Sequence, residues 1–283
     1  MSADAHDIDP DPDLAWKQWH EHRVAAVSAP YGPLALIGTH WLADYPEGRI
    51  PAVPGRWRTT GAGVTLTAVA EDGISLDGEP FTGDAVLAAD ESRPSHSRIA
   101  AGDVRLVVIR REGEWAVRVF DPASEARAAF AGIEATPYDP AFVLPGHFQP
   151  YAQDRTVQVE NADGRARGLG LGGELSFDFD GATHRLQVAV DEDDGSLWAV
   201  IGDATGGRSS YRFRFLRPGV PAWGSRGTQA GGAPVVVDLN RVQLPPCAFA
   251  DHFICPFPPP GNTLPFEVTA GERRLKAALA TGI

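Results

Sequence analysis

Cys247 and Cys255 stand eight positions apart in the stretch DLNRVQLPPCAFADHFICPFPPPGNTLPFEVTAGE, Asp238 to Glu272, with Asp251 and His252 between them. Thiol, imidazole and carboxylate in one short span admit several chemistries. A zinc site takes four ligands at compact paired spacing, and two cysteines with one histidine fall one short. A disulfide can close such a loop but does not persist in a reducing compartment. A cysteine nucleophile paired with His252 needs a depressed thiol pKa. The default is two buried thiols acting as small apolar side chains. The expectation is no metal and no cofactor, with the state of the pair (bridged, free or metal-bound) left open.

Arginine offers the second candidate chemistry. Arg208, Ser210, Arg212 and Arg214 alternate with Ser209, Tyr211, Phe213 and Phe215. A strand over Arg208 to Leu216 would set guanidinium groups on one face and aromatics on the other. A solvated basic face is the simplest reading. An anion site is the sharper one, because Arg forks grip carboxylate or phosphate in bidentate fashion. In WAVRVFD, Arg118 shares a face with Ala116 and Phe120, so it is partly buried and calls for Asp121, Asp203, Asp238 or a ligand as partner. PVVVDLN reads as a strand ending in Asp238 and Asn240.

These residues define a candidate pocket for a small ligand with an anionic or polar group. It is lined by Arg118, Tyr211, Arg214, Asp238 and Asn240 and roofed by the proline-rich strap. Were chemistry to occur there, Asp238 or Asp203 would act as acid or base and Arg214 would stabilise negative charge. No catalytic residue is assigned, because the chain holds no G-x-S-x-G and no H-E-x-x-H. GDATGG, residues 202–207, reads as an Asx-type turn rather than a phosphate loop, since no helix follows it. The rival reading is a protein-interaction module without catalysis, in which the Arg, Asp and Asn side chains are structural and the strap presents a docking edge.

The elements that must position such groups are short strands. Asp11 and Pro12 open a helix over PDLAWKQWHEHRVAAVS, and APYGP ends it. GVTLTAV and GISLDGEPF alternate around Glu71-Asp72-Gly73, which predicts a hairpin. VRLVVIRREGEWAVRVFD predicts a second, turning at Arg111 to Glu114. Further short alternating runs follow to Leu216, with turns every eight to twelve residues and no βαβ rhythm. The expected fold is mostly β, antiparallel and sandwich- or barrel-like, with an N-terminal α-helix. Residues 1–11 read as a disordered acidic tail and 12–283 as one β-rich domain. The proline- and aromatic-rich segment 130–154 is a candidate junction between two β halves. CPFPPPGNTLP lacks amide donors and must run as an extended strap, for which Asn240, Asn262 and Glu272 are the candidate anchors.

Composition narrows the partners. The chain has 283 residues, 43% hydrophobic and 22% charged, with a formal net charge of −12. Such a charge repels phosphate backbones and anionic bilayers, so neither nucleic acid nor membrane is expected as a partner. No run approaches the roughly eighteen apolar residues of a membrane span. The N-terminal residues carry no apolar leader, which reads as cytoplasmic.

Three stretches carry a family resemblance: GPLALIGTHWLADYPEGRI, VIRREGEWAVRVFDPASEARAAFAGIEATPYDPAFV, and above all GDATGG…YRFRFL followed by VDLNR…PPCAF…CPFPPPGNTLPFEVTAGE. Together they resemble the bacterial family known as domain of unknown function 1684 over most of residues 14–274. Matching positions are Arg118, Asp121, Asp203, Tyr211, Arg214, Asp238, Asn240, Arg241, Cys247, Cys255, Asn262 and Glu272. Leu239 stands where the family has Phe, and Val242-Gln243-Leu244 where it has Ala, an aromatic and Asn. The missing Asn weakens any full polar site in that loop. The resemblance implies the fold and a site at the C-terminal signature, and it carries no activity.

Overall fold

The computed structural model describes residues 11–61, 63–223 and 232–277. The expected tail lies outside these, apart from Asp11. The described chain is mostly β, built of antiparallel sheets, with one long helix at its N-terminal end. None of its helices is long and apolar enough to cross a membrane. The chain divides into two compact units. The first comprises 26–131 and 246–255; the second comprises the chain up to Ala25, 132–245 and 256–276.

Helix α1 (Pro12–Ser28) belongs to the second unit as far as Ala25. Asp11 caps it, its Oδ1 accepting from the Asp13 amide at 3.1 Å, and Pro12 at the first helical position needs no partner for the amide it lacks. Trp16 anchors the helix: it is 7% exposed, and its Nε1 donates to the Asn240 carbonyl at 2.8 Å.

The first unit is built from β1 (Leu36–Trp41), β2 (Arg56–Thr60), β3 (Gly63–Ala68), β4 (Ile74–Leu76), β5 (Glu79–Pro80), β6 (Gly83–Leu87), β7 (Ile99–Ala101), β8 (Val104–Arg111) and β9 (Glu114–Phe120). They form a six-stranded sheet, β1-β9-β8-β7-β4-β5, and a three-stranded sheet, β2-β3-β6. β8 and β9 make the hairpin expected from sequence. Arg111 pairs with Glu114 across Glu112 (φ 48°) and Gly113 (φ 87°), the two positive-φ positions that a tight right-twisted hairpin demands. Both strands are apolar on both faces. Leu106, Val108, Val117 and Val119 join the core with Trp57, Val64 and Leu66. Val107, Ile109, Ala116 and Phe120 face the other way, against Leu36, Trp41, Ala250, Phe253 and Ile254.

The hairpin expected at Glu71-Asp72-Gly73 does not form. β3 is flanked by β2 and β6, so both its hydrogen-bonding edges are taken, and β4 pairs with β5 and β7 in the other sheet. A 3-10 turn at Ala70–Asp72, closed by Gly73 at φ 62°, redirects the chain between sheets.

The second unit adds β10 (Ile133–Ala135), β11 (Val143–Glu160), β12 (Ala166–Phe179), β13 (Ala182–Val190), β14 (Leu197–Ile201), β15 (Arg214–Gly219), β16 (Ala233–Asp238) and β17 (Glu272–Leu275). Six of these form a sheet in the order β15-β14-β13-β12-β11-β16, and β10 pairs with β17. Leu175, Leu186, Val188, Leu197, Ile201, Leu216 and Val237 fill its core. The strand expected over Arg208 to Leu216 begins only at Arg214. Before it, the Thr205 carbonyl accepts from the amides of Arg208, Ser209 and Ser210, which curls the chain and cancels the alternation. Phe213, Arg214, Phe215 and Leu216 are then all buried, and no separate guanidinium face exists there.

Candidate functional site

The five side chains expected to line one pocket are divided between the units. Tyr211, Arg214, Asp238 and Asn240 belong to the second and Arg118 to the first.

In the second unit these groups turn inward. The side chain of Arg214 is 0% exposed and that of Asp203 1%. Arg214 Nη2 donates to Asp203 Oδ2 at 2.8 Å and to the Val268 carbonyl at 2.7 Å, and Nη1 donates to the carbonyls of Ala270 and Glu272. Asp203 Oδ1 accepts from the amides of Thr205 and Val268 and from the Thr205 hydroxyl. GDATGG thus closes as the Asx turn read from sequence, with Asp203 serving turn and ion pair together. Burial would push the Asp203 carboxyl up, but the charge of Arg214 and the bonds from Thr205 outweigh it and hold the pKa below its ordinary value. Burial pulls the Arg214 guanidinium down, against the attraction of Asp203.

Asn240 is fully buried and pairs with the backbone of Asp139 on both sides: Oδ1 accepts from its amide and Nδ2 donates to its carbonyl, each at 2.9 Å. Asp238 Oδ1 accepts from the Asn240 amide and Oδ2 from Arg241 Nε. The Tyr211 amide donates to the Arg273 carbonyl, and its ring meets Phe213 edge-on at 5.6 Å. Of the three residues expected to anchor the strap, Asn262 does so; Asn240 instead holds Asp139, and Glu272 holds Leu244 and Arg23. Asn262 grips β13 and β14 through Gln187 and the Val200 carbonyl. The Glu272 carboxylate, 0% exposed, accepts from the Leu244 amide and Arg23 Nε. Burial raises the pKa of Glu272 in spite of Arg23.

Arg118 is different. It sits mid-sheet on β9, across from Thr39 on β1 and Val107 on β8, and its guanidinium lies 5.3 Å over the Phe253 ring. Its Nε is sealed from solvent and has no hydrogen-bond partner. Burial, reinforced by Arg111 and opposed by Cys255, brings its pKa down to about 10. The acids proposed for it are engaged elsewhere: Asp121 Oδ1 accepts from the Ala123 amide, and Asp203 and Asp238 serve the second unit.

Arg118 lines a cleft of about 930 Å³ whose walls include Val107, Ile109, Trp115 and Phe120, together with Arg110 and Arg111 and the loop Ala88 to Ser92. The loop is tied to β8 by the Asp90 amide, which donates to the Val108 carbonyl at 2.7 Å. Asp90, Glu91 and Glu112 add negative charge, so the lining carries three carboxylates against three guanidinium groups. Asp90 caps its own loop by accepting from the amide and hydroxyl of Ser92, and Arg110 stacks over Trp115 at 5.3 Å. A second cleft of about 480 Å³, in the second unit, is lined by Phe148, Tyr151, Asp154, Glu192 and Trp223 among others. Neither cleft is lined by Tyr211, Arg214, Asp238 or Asn240. The contribution of Arg110, Arg111 and Ala88 to Ser92 was not read from sequence, since a charged hairpin end and an irregular loop carry no pattern that places them beside Arg118.

The segment 246–255 packs on the β8–β9 face that carries Arg118 without lining that cleft. Thr39 Oγ1 donates to the His252 carbonyl at 2.8 Å, and Phe253 lies under Arg118. Cys247 and Cys255 are buried thiols, and the Cys247 amide donates to Cys255 Sγ at 3.3 Å. The bond with Cys247 and burial push the Cys255 thiol well above its ordinary pKa. Among the described residues no cluster of three or more His, Cys, Asp or Glu could hold a metal ion.

Comparison with the curated proteins finds no match. Among solved structures, the chain is similar to an uncharacterized protein of Haloarcula marismortui determined by solution NMR, with 31% identity over 52% of this chain and 78% of that one and a TM-score of 0.41. The model of the family described as protein of unknown function (DUF1684) matches residues 128–273, just over half of the chain. The chain belongs to that family.

Proposed function

We propose that the first unit binds a small molecule bearing a single anionic group, such as a carboxylate, with Arg118 as its anchor. The observation that carries this is Arg118 itself: a guanidinium on a central strand, largely desolvated, with its Nε unpaired. A half-buried guanidinium that opens on a cleft and has no ion pair among the described residues is costly to leave so, and an incoming carboxylate supplies the counter-charge. Val107, Ile109 and Phe120 offer an apolar body beside it. Asp90, Glu91 and Glu112 balance the guanidinium groups, and the chain carries a net charge of −12. Polyanions are therefore disfavoured, which sets nucleic acid and anionic membrane aside. The protein is taken as a cytoplasmic bacterial one meeting a diffusible metabolite. No group in the cleft is assigned a catalytic step.

The test is titration calorimetry of the whole chain with a panel of small carboxylates and inorganic phosphate, alongside Arg118→Gln and Arg214→Met. Saturable heat in the wild type and in Arg214→Met, lost in Arg118→Gln, supports the reading. Equal binding by wild type and Arg118→Gln defeats it. The interaction-module reading draws on a separate observation: Val220, Trp223 and Val236 of the second unit are exposed apolar side chains. Silence across the panel would favour that module.

A further inference from the structure

Two cysteines in 283 residues meet each other. Cys247 and Cys255 lie in the buried part of the 246–255 segment, 4% and 6% exposed, with the Cys247 amide 3.3 Å from Cys255 Sγ. Both remain thiols. The intervening residues turn back through Ala250, whose carbonyl accepts from the Phe253 amide. Phe253 and Ile254 pack on the β8–β9 face, and the Phe253 ring lies beneath Arg118. Asp251 and His252 at the tip are exposed. The segment is short, returns to itself with the Cys247 amide on Cys255 Sγ, and has an exposed tip.

We infer that Cys247 and Cys255 form a reversible intramolecular disulfide that clamps the 246–255 loop and fixes Phe253 beneath Arg118. The oxidant is a low-molecular-weight disulfide, RSSR. One cysteine, as thiolate, attacks a sulfur of RSSR, forming a mixed disulfide and expelling RS⁻. The second cysteine, as thiolate, attacks the protein sulfur of that mixed disulfide, forming the Cys247–Cys255 bond and expelling the other RS⁻. The two protons lost by the cysteines end on the two expelled thiolates, so two protein thiols are oxidised and one RSSR is reduced to two RSH. Both sulfurs are covered, and its contact with Cys247 and burial favour the protonated form of Cys255, so the exchange proceeds when the loop opens, and it is slow.

The inference is independent of the anion reading except for its last clause, the effect on the Arg118 wall. The test equilibrates the whole chain in glutathione buffers from fully reducing to fully oxidising, followed by acid quench, denaturation, maleimide labelling and intact mass. Two labels per chain at the reducing end and none at the oxidising end, with a monomer two hydrogens lighter, is the expected result. Cys247→Ser should instead trap one glutathione on Cys255. Two labels per chain throughout, or loss of label only as linked dimers, overturns the proposal. Hydrogen exchange reads the clamp: amides of Ala248 to Ile254 should exchange at least tenfold more slowly in the oxidised chain, and equal rates defeat the clamp. None of these readouts uses a ligand, so a failed anion titration leaves them standing.

Discussion

Arg214 and Asp203, eleven residues apart, meet at 2.8 Å with 0% and 1% of their side chains exposed, and three main-chain carbonyls and one amide from 268–272 complete the cluster around them. The pair works as a rivet: it ties the turn after β14 and the first residue of β15 to the strap that leads into β17. A buried ion pair of this kind is replaceable as a unit but not by halves.

Arg214→Met is therefore expected to cost about 3–5 kcal/mol, since it leaves the Asp203 carboxylate buried without its cation. Urea unfolding followed by tryptophan fluorescence measures it. A loss below about 1 kcal/mol would show that the pair contributes little to the second unit.

The same pair sets an acid limit. Asp203 has its folded pKa below the ordinary 3.8. Its contribution is present in full above the unfolded value and is lost as pH falls through 3.8 towards the lower folded value. Glu272 has the opposite sign: its folded pKa lies above 4.5, so its protonated form is the better tolerated, and the stability it contributes is full below 4.5 and lost as pH rises through the folded value. Melting temperature against pH should fall more shallowly below 3.8 in Asp203→Asn than in wild type. Parallel curves would remove Asp203 from the account.

Arg118 should behave in reverse. Arg118→Met removes a largely buried cation that has no ion-pair partner among the described residues, and is expected to raise stability by about 1 kcal/mol after allowance for its partial hydration. The gain would accompany the loss of anion binding, the signature of a group kept for function rather than fold. Thermal denaturation of the variant without ligand tests this, and a loss of several kcal/mol would make Arg118 a structural residue.

Asn262→Ala strips three main-chain partners at once, the part-buried Gln187 N and O and the buried Val200 O. The expected cost is about 3 kcal/mol, from backbone groups left unsatisfied. Faster proteolysis of the strap between Pro256 and Pro265 would accompany it.

Local signals were legible in the sequence. Asp11-Pro12 fixed the start of α1, and Glu112-Gly113 fixed the β8–β9 hairpin, because capping and positive φ are decided within a few residues. The anchor Asn262 was legible too, since a strap poor in amide donors must be held by side chains; Asn240 and Glu272 are buried polar anchors as well, but of Asp139 and of Leu244 with Arg23. What failed was whatever depends on distant partners. Arg214 looked like one face of an alternating strand, and only the curl at Thr205 and the carbonyls of 268–272 show why it is buried on a both-sided strand. GVTLTAV and GISLDGEPF had hairpin spacing, but β6 had already taken the edge β4 would need. Arg118 was legible as a cation in search of a partner; the loop Ala88 to Ser92 beside it was not, having neither period nor turn signature.

The first unit draws its last piece from residues 246–255, over a hundred positions beyond the end of its main segment. During synthesis, Leu36, Trp41, Val107, Ile109 and Phe120 must emerge from the ribosome well before Ala250, Phe253 and Ile254 arrive to cover them. Until then the nascent chain presents an open greasy surface, the situation in which chaperones engage. A fragment cut at 131 would keep that surface for good, and one confined to 128–273 would carry the covering segment with nothing to cover. The protein is two units in space but one indivisible unit in the order of its making.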